Sequence, residues 1–375
     1  MSIKKIGILG GGQLGRMLLQ AAANYPVETF VMENDAHSPA AHLCHDFTKG
    51  DITNFEDVYN FGKGLHAITI EIENVNVEAL FKLQEEGIKI SPSPFIIQTV
   101  QDKGLQKEFF KQNGFPTADY TLIENKNEIN QHLKLLPLVH KSRKGGYDGK
   151  GVQIIKSTAD LTNVPDVPAV LENLVDILSE VSVIVSRNEA AEIKCFPAVD
   201  MQFNKEANLV EFLFSPSRLS HELENQAKEI AIRLANELNL VGILAVEMFL
   251  TKEYKLLINE IAPRPHNSGH QTIEGNKISQ YEQMLRAITG LPLGNTEITL
   301  PSVMLNLLGE KNYTGNAIYS GIENVLKMDG VHIHLYGKKI TKPFRKMGHV
   351  TVTADTLDNA IQKAIYIQQQ LKVIA

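Results

Sequence analysis

Apolar and polar positions alternate over the first hundred residues in the way that parallel α/β units require. Short apolar runs predict four strands, at residues 5–9, 29–32, 67–70 and 88–90. Between these runs, apolar residues recur at helical spacing, as in residues 14–23 and 77–86. Strands that alternate with helices favour a doubly wound parallel sheet. Beyond it we expect a domain boundary near residues 92–100, a helix at 102–113 and an amphipathic closing helix at 356–371.

Two later apolar runs, GILAVEMFL and LLINEIAP, are joined by a short polar stretch and predict a hairpin. If the hairpin turns over Glu253 and Tyr254, Glu247 lies opposite Glu260, and Phe249 lies opposite Ile258. Facing carboxylates repel each other, and burying them among apolar neighbours is costly unless a positive group joins them.

A divalent cation is the simplest partner for this carboxylate pair, and Asn259 would add an oxygen ligand. Oxygen ligands without Cys or His favour Mg²⁺ or Mn²⁺ over zinc. Mg²⁺ held by few carboxylates usually arrives with the phosphates of a nucleotide. The alternative is that the hairpin edge is solvated and both glutamates are ordinary surface charges.

A first glycine loop, GILGGGQLGRM, lies between a predicted strand and a predicted helix. Gly10, Gly12 and Gly15 satisfy G-x-G-x-x-G, and Glu33 follows the second strand where a ribose-binding acid would lie. Taken alone, the pattern indicates a dinucleotide site. The alternatives are that this helix N-terminus holds another phosphate or carboxyl group, or that the glycines permit close packing.

A second glycine loop, SRKGGYDGKG, follows the apolar run LPLVHK, which ends on Lys141. Glycines let backbone N–H groups approach an anion, and lysines supply point charges for triphosphate oxygens. The chain contains no G-x-x-x-x-G-K-[ST], so this loop is not a Walker P-loop. Glu172 and Glu180 follow, in the order expected of an adenine hinge and a ribose carboxylate. The alternative is a flexible basic turn.

Composition narrows the function classes. The 375 residues suggest two or three domains, and 43% hydrophobic with 21% charged residues are globular values. No apolar run approaches the length of a spanning helix, and the first residues lack a signal-peptide core, so we expect a cytoplasmic protein. A net charge of −6 and the absence of Trp do not indicate a nucleic-acid-binding surface. A phosphate-bearing partner must therefore meet a local basic cluster.

The order of these motifs resembles the ATP-grasp superfamily. Within it, GGGQLGRM, EIEN, GGYDGKG, NEIAPRPHNSGH and RKMGHV together resemble the PurK family of N5-carboxyaminoimidazole ribonucleotide synthetases, over essentially the whole chain. The resemblance implies an ATP-grasp fold of the α/β and α+β classes. Its expected domains are an N-terminal doubly wound pre-ATP-grasp domain at 1–100, an ATP-grasp core at 101–295 with a lid at about 115–172, and a small α/β C-terminal domain at 296–375.

The resemblance also implies a reaction. ATP and bicarbonate would form carboxyphosphate, whose carboxyl group passes to the exocyclic amine of 5-aminoimidazole ribonucleotide in purine biosynthesis, with release of ADP and phosphate. It further implies a homodimer that binds small molecules and neither nucleic acid nor membrane. The alternatives are a nicotinamide-dependent oxidoreductase, another ATP-grasp ligase acting on formate or an amino acid, and a non-catalytic ATP-grasp-like nucleotide sensor.

The family's functional residues carry over to matching positions of this chain. Expected metal ligands are Glu247 and Glu260. Expected ATP contacts are Lys103, Lys141, Gly146, Tyr147, Asp148, Gly149, Lys150, Gly151, Val152, Glu172, Asn173, Leu174, Val175, Glu180, Asn259 and Glu260. Expected contacts to the ribonucleotide and bicarbonate are Gly12, Gln13, Leu14, Asp148, Arg264, His266, Asn267, Ser268, Lys338 and Arg345. Within that set, the resemblance implies catalytic roles for Arg264, His266, Asn267, Lys338 and Arg345.

Two positions depart from the family pattern. The family usually has arginine where Lys103 stands, and a lysine lacks the bidentate fork of a guanidinium. A pattern of the type E-N-x-H appears here as Asp200 to Phe203, so a nucleotide contact from a histidine is not expected. Both departures leave the Glu247 and Glu260 pair intact, so we expect them to alter the affinity for the nucleotide.

Overall fold

The N-terminal part of the chain is a parallel α/β layer. In this computed structural model, residues 3–146, 151–204 and 209–375 are described. The five parallel strands follow the order β3-β2-β1-β4-β5. They are β1 Lys4–Leu9, β2 Val27–Glu33, β3 Asp46–Lys49, β4 Ala67–Ile70 and β5 Lys89–Ile90. The helices are α1 Gln13–Ala22, α2 Phe55–Gly62, α3 Val77–Glu85 and α4 Pro94–Gln101. The chain direction across the sheet reverses between β1 and β4, where parallel sheets bind ligands.

Residues 92–100, where we expect a domain boundary, are mostly helical, because α4 occupies them. Ser93 caps the helix, Pro94 stands in its first turn, and Ile96 and Ile97 are fully buried. Proline is preorganised for the first helical position, and buried side chains anchor the remaining turns. Proline and serine therefore mark the start of a helix here, not a linker.

A four-stranded antiparallel sheet follows helix α5 (Lys103–Gln112). Its order is β6-β9-β7-β8. The strands are β6 Tyr120–Ile123, β7 Leu138–Ser142, β8 Val152–Ile155 and β9 Ala169–Asn173, with 3₁₀ segments at Lys126–Leu135 and Thr158–Asn163. One face buries a small apolar cluster that includes Ile123, Ile155 and Leu171. Alternation along β7 and β9 therefore turns Lys141 and Glu172 to the opposite face.

A nine-stranded sheet forms the remainder of the core, in the order β15-β14-β10-β12-β13-β16-β21-β19, with β11 paired to β10. Because β13 pairs with β16, the C-terminal strands continue the central sheet. Its first half comprises β10 Ile177–Arg187, β11 Ile193–Cys195, β12 Val199–Asn204, β13 Leu209–Ser215, α6 His221–Glu237, β14 Gly242–Thr251 and β15 Leu256–Ala262.

In the C-terminal half, a 3₁₀ turn at Asn267–Gly269 precedes α7 Thr272–Gly275, α8 Gln280–Thr289, β16 Ser302–Leu308, β17 Gly315–Asn316, β18 Ile318–Ser320 and α9 Ile322–Val325. The chain continues through β19 Val331–Leu335, β20 Ile340–Thr341, β21 Lys346–Thr353, α10 Leu357–Gln370 and β22 Lys372–Ile374. Helix α8 packs on α1, β14 and β10, and α10 packs on β16 and β21. The predicted closing helix is thus α10. No helix among the described residues is long and apolar enough to cross a bilayer.

The β14–β15 hairpin places Glu247 opposite Glu260, so this prediction is confirmed. The predicted pairing of Phe249 with Ile258 is wrong, because Phe249 lies opposite Leu257. A β-bulge between the two pairs leaves Asn259 as an extra residue on β15. Such a bulge re-aims neighbouring side chains. Asn259 and Glu260 can then serve one site although they are consecutive.

Candidate active site

Two glutamates and two lysines form the centre of the site. The Nζ of Lys103 donates to Glu260 Oε2 at 2.5 Å, and the Nζ of Lys141 donates to Asn259 Oδ1 at 2.9 Å. Burial and the nearby charge of Glu260 raise the pKa of Glu247. Surrounding protein atoms also disfavour the charge of Glu260, but the Lys103 ammonium outweighs them and lowers the pKa of that carboxyl. The two carboxylates therefore stand in different electrostatic environments.

Lys103 is the first residue of helix α5, and the start of this helix fixes its position. Asp102 caps that helix by accepting the N–H of Gly104 at 2.8 Å. The same carboxylate receives a bidentate pair of hydrogen bonds from Arg143, each at 2.9 Å. Arg143 belongs to the second glycine loop, so it holds the base of this loop to α5. That guanidinium serves the scaffold, and the lysines remain to meet phosphates.

A buried ion triad of Lys107, Glu172 and Lys141 lies beside this centre, and Lys107 is not part of any motif identified in the sequence. Glu172, 2% exposed, forms ion pairs with Lys141, whose Nζ lies 2.8 Å from Oε2, and with Lys107, whose Nζ lies 2.9 Å from Oε1. Burial opposes the charge of Glu172, but the two lysines overcome it and lower its pKa. Lys107 lies one helical turn after Lys103, a spacing that places both residues on one face of α5. The helical spacing from Lys103 is the sequence feature that could have identified Lys107 as part of the site.

Glu180 lies near the same cluster, on strand β10. Burial raises the pKa of Glu180 to about 7, with the Glu260 charge acting in the same direction and Lys141 opposing it. Its strand partner is Phe249, and Ser182 two residues on pairs with Glu247. Glu180 therefore faces the same side of the sheet as the carboxylate pair.

His266 joins this centre to the APRPHNSGH segment. Its Nε2 lies 3.2 Å from Glu247 Oε1, and its Nδ1 lies 2.9 Å from Ser268 Oγ. Burial lowers the pKa of His266 to about 3, helped by the charge of Arg264, so the ring is neutral at pH 7. We assign its proton to Nε2, facing Glu247, because Ser268 can donate its hydroxyl proton to Nδ1. Ser268 in turn contacts Ser182 Oγ at 2.8 Å.

Arg264 connects the same segment to the N-terminal layer. Its Nε lies 2.8 Å from Glu73 Oε1 in an ion pair, and Glu73 belongs to the EIEN motif that follows β4. Asn267 exchanges a pair of amide hydrogen bonds with Asn306 of β16, at 2.9 and 3.0 Å. Parts of all three expected domains therefore meet at residues 264–268.

The first glycine loop holds carboxylates of the protein itself. Glu71, 9% exposed, accepts the N–H groups of Gly12 and Gly15, each at 2.8 Å. Gly11 N–H donates to Glu33 Oε2 at 3.1 Å. The amides that would bind a pyrophosphate are thus engaged, and Glu33 does not point to a ribose. A Cβ on Gly12 would lie 2.6 Å from Glu71, so close packing explains that glycine. The dinucleotide interpretation loses its physical basis, and the carboxyl alternative fits.

The C-terminal basic residues each donate to a backbone carbonyl of their own segment. Lys338 donates to the carbonyl of Lys346 at 2.8 Å, and Arg345 to that of Ile340 at 2.6 Å. A Cβ on Gly337 would lie 3.7 Å from Arg16 of α1, which places the loop before Lys338 beside this helix. The charge of Lys346, which the motif analysis did not single out, also acts on Glu247 and His266.

The donor set fits a hard divalent ion that shares its ligands with a nucleotide. Among the described residues, no group of three or more His, Cys, Asp or Glu side chains is arranged to hold a metal. Two facing carboxylates and the amide oxygen of Asn259 suit Mg²⁺, which commonly takes one or two carboxylates and completes its shell with phosphates and water.

Comparisons with known proteins bear on all of these parts. Residues 3–101 match the ribonucleotide synthetase preATP-grasp domain, residues 108–281 the ATP-grasp domain, and residues 302–363 the phosphoribosylaminoimidazole carboxylase C-terminal domain. The N5-carboxyaminoimidazole ribonucleotide synthase of Bacillus subtilis is 35% identical over 96% of this chain and 93% of its own length. This chain belongs to the PurK family. The predicted superfamily, family and ATP-grasp fold are therefore confirmed.

Solved PurK structures share the whole fold. The N5-carboxyaminoimidazole ribonucleotide synthetase of Thermotoga maritima superposes with a TM-score of 0.92 at 41% identity, covering 99% of both chains. The Aspergillus clavatus enzyme, in complex with ADP and 5-aminoimidazole ribonucleotide, gives 0.88 at 33% identity over 98% of this chain and 97% of that one. Some relatives are longer: this chain spans 36% of the bifunctional purine synthesis protein of Dictyostelium discoideum.

Proposed function

We propose that this PurK-family chain uses ATP and bicarbonate to carboxylate 5-aminoimidazole ribonucleotide on its exocyclic amine, as an ADP-forming carbon–nitrogen ligase of purine biosynthesis. The observation that carries this proposal is the contact between Glu247 and His266. It places a carboxylate and lysine centre suited to phosphoryl transfer directly beside the segment expected to bind bicarbonate and ribonucleotide. Neither a nicotinamide enzyme nor a nucleotide sensor requires these two sites to adjoin.

The ATP site is expected between the four-stranded sheet and the central sheet. Lys103 and Lys141 supply charge for the phosphates, residues 172–175 the adenine hinge, and Glu180 the ribose contact. Gly146, Gly151 and Val152 flank the loop proposed to cover the phosphates. Four more members of the proposed site, Tyr147, Asp148, Gly149 and Lys150, lie outside the described residues, and their roles rest on the family resemblance.

Glu247 and Glu260 would hold Mg²⁺, with Asn259 as a further oxygen ligand. When bound, the ion neutralises charge on the phosphates during phosphoryl transfer. Lys103 now neutralises Glu260 and Lys141 contacts Asn259, so both lysines already border the place where the phosphates would lie. Manganese suits the same oxygen ligands.

The chemistry then needs positioning and positive charge more than a covalent protein group. A bicarbonate oxygen attacks the γ-phosphorus of ATP, the bond to the β-phosphate oxygen breaks, and ADP leaves. The carboxyphosphate so formed is attacked at its carbon by the ribonucleotide amine. Its C–O bond breaks, and the departing phosphate takes the amine proton. Arg264 supplies charge beside the carboxyl group, while neutral His266 and Asn267 orient it by hydrogen bonds.

The ribonucleotide is expected to lie against the first glycine loop, with its phosphate on Lys338 and Arg345. Gly12, Gln13 and Leu14 are the expected contacts of this loop, and Gly12 would make its contact through groups other than its N–H, which Glu71 engages. Ser268 supports the same wall by fixing the His266 ring.

Three further expectations belong to the proposal. The domains are residues 1–100, 101–295 and 296–375, with the lid at about 115–172, and the enzyme is a cytoplasmic homodimer. Its partners are small molecules. Light scattering on the eluting protein measures the mass, and twice the 41.7 kDa of one chain is expected.

A coupled assay of phosphate release tests the activity. Enzyme with MgATP and bicarbonate is expected to release phosphate rapidly only after the ribonucleotide is added, and omission of bicarbonate is expected to abolish the stimulation. Stimulation by formate or an amino acid in place of these substrates would favour another ATP-grasp ligase.

A further inference from the structure

Gln280, the first residue of α8, forms side-chain hydrogen bonds with both backbone polar groups of His266. The Gln280 side chain is fully buried. Its Oε1 accepts the N–H of His266 at 2.8 Å, and its Nε2 donates to the carbonyl of the same residue at 2.8 Å. One amide side chain therefore forms hydrogen bonds with both the N–H and the carbonyl of His266.

The surrounding residues hold the Gln280 amide in place. Thr272 Oγ1 accepts the backbone N–H of Gln280 at 2.8 Å. A Cβ on Gly269 would lie 2.5 Å from the Gln280 Cδ and Oε1, so only glycine lets the NSGH turn rest against this amide. The glycine of that motif and the glutamine thus form one packed unit.

The same helix also contacts the N-terminal wall of the site. Tyr281 Oη lies 3.5 Å from Met17 Sδ of α1, and Arg286 Nε donates to Tyr25 Oη at 3.1 Å. Helix α1 begins directly after the first glycine loop and carries Gln13 and Leu14. Helix α8 therefore contacts two segments of the proposed substrate site, α1 and the segment around His266. Gln280 makes the contact with His266.

We propose that Gln280 is a positioning residue for carboxyl transfer, acting through His266 and Asn267. The inference rests on the function proposed above. Loss of both side-chain hydrogen bonds leaves the N–H of His266 without its Gln280 partner and leaves the carbonyl with the N–H of Gly269 at 3.0 Å, a situation that folded chains relieve by moving the backbone. That movement displaces the His266 ring from Glu247 and the Asn267 amide from its contact with Asn306.

Gln283 offers a matched control in the same helix. It is also fully buried, and its Oε1 accepts the N–H of Gly294 at 2.8 Å. Its Nε2 lies 3.3 Å from the Gly294 carbonyl and 3.1 Å from Ser186 Oγ. The interaction has the same chemistry as that of Gln280, but it fixes a segment that carries no proposed site residue.

The test compares Gln280→Met with Gln283→Met. We expect both variants to unfold at similarly reduced denaturant concentrations. The Gln280→Met enzyme is expected to lose roughly 10- to 100-fold in kcat/KM for the ribonucleotide, since a displacement of about 1 Å can cost that much. Its KM for ATP and all constants of Gln283→Met are expected to stay within about twofold of wild type, since neither change touches the ATP-binding residues.

Gln280→Glu provides a second readout that a merely structural role would not produce. A protonated carboxyl keeps one acceptor and one donor, as the amide does, whereas a carboxylate offers no donor to the His266 carbonyl. Burial favours the protonated form. The activity of this variant relative to wild type is therefore expected to rise as the pH is lowered from 8 towards about 6, where a buried carboxyl gains its proton.

The outcomes separate the two proposals. Wild-type enzyme without ribonucleotide-dependent phosphate release contradicts the proposed function itself. Active wild type with equal kinetic losses in Gln280→Met and Gln283→Met overturns only the role of Gln280. A relative activity of Gln280→Glu that is flat across pH also overturns it, even if the methionine variants fold poorly.

Discussion

The buried triad of Lys107, Glu172 and Lys141 permits a quantitative prediction for Lys107→Met. Lys107 is 3% exposed, and burial lowers the pKa of its ammonium. Its Nζ contacts both Glu172 and the hydroxyl of Thr117. Methionine retains most of the aliphatic stem but removes the charge, so the variant isolates the ion pair from the packing.

Removal of one partner from a buried pair typically costs about 3–5 kcal/mol, because the other charge is left uncompensated. Glu172 keeps its second ammonium at 2.8 Å on Lys141, so compensation is only partly lost. We therefore expect Lys107→Met to lower the free energy of unfolding by about 2–3 kcal/mol, below the full cost of an orphaned charge. Glu172→Gln removes the anion that the two adjacent ammonium groups share and should also destabilise.

The double variant Lys107→Met with Glu172→Gln is expected to lose less than the sum of the single changes. A coupling energy of roughly 1–3 kcal/mol is expected for residues in direct contact. Urea unfolding, monitored by circular dichroism, measures the free energy of unfolding of the two single variants and the double variant. Lys111→Met, an exposed position one turn later on α5, is the control, and a change within about 0.5 kcal/mol is expected. Additive losses, or a Lys107→Met effect as small as the control, would refute the reasoning.

Four further predictions follow from the proposed site. Glu247→Gln and Glu260→Gln should each suppress Mg²⁺-dependent ATP turnover while circular dichroism shows an intact fold, and near-normal turnover in either would remove the metal assignment. Lys338→Ala or Arg345→Ala should lower kcat/KM for the ribonucleotide about 10- to 150-fold, the equivalent of a charge-assisted hydrogen bond of roughly 1.5–3 kcal/mol, with little change in the KM for ATP. A selective rise in the KM for ATP would move these residues to the nucleotide site. Glu180, whose folded pKa of about 7 exceeds its usual 4.5, takes up a proton on folding between these values, so its contribution to stability falls as pH rises from about 4.5 to 7. Glu180→Gln should remove that decline, which amounts to at most roughly 3 kcal/mol at pH 7 in urea unfolding, and an unchanged pH profile would contradict the burial of this carboxyl. Calorimetry should detect no micromolar NAD(H) or NADP(H) binding, because the Gly12 and Gly15 amides already bind Glu71.

Local patterns predicted those parts of the site that lie close together in sequence. Alternation along two apolar runs and a short turn were enough to place Glu247 opposite Glu260. The bulge at Asn259 carries no such local signal, because it depends on how β15 meets its neighbours. Its consequence, two consecutive residues that each contact a lysine, became visible only in three dimensions.

Contacts between distant segments were the part that local patterns could not supply. The glycine loop fits a dinucleotide pattern, and only the fold shows that Glu71, more than fifty residues away, fills its amides. Gln280 was missed for the same reason, since a glutamine at the start of a helix is unremarkable until its partner is known. Lys107 is different: helical spacing from Lys103 was present in the sequence and would have placed it on the same face.

Oxygen transfer from bicarbonate to phosphate shows whether this site activates bicarbonate as carboxyphosphate. Enzyme with MgATP and the ribonucleotide is given bicarbonate labelled with ¹⁸O, and the released phosphate is analysed by mass spectrometry before the label exchanges with water. Because a bicarbonate oxygen attacks the γ-phosphorus and stays on phosphorus when the C–O bond breaks, we expect a single ¹⁸O atom in each phosphate. Phosphate that takes its new oxygen from water would show hydrolysis of ATP without carboxyphosphate and would contradict the account.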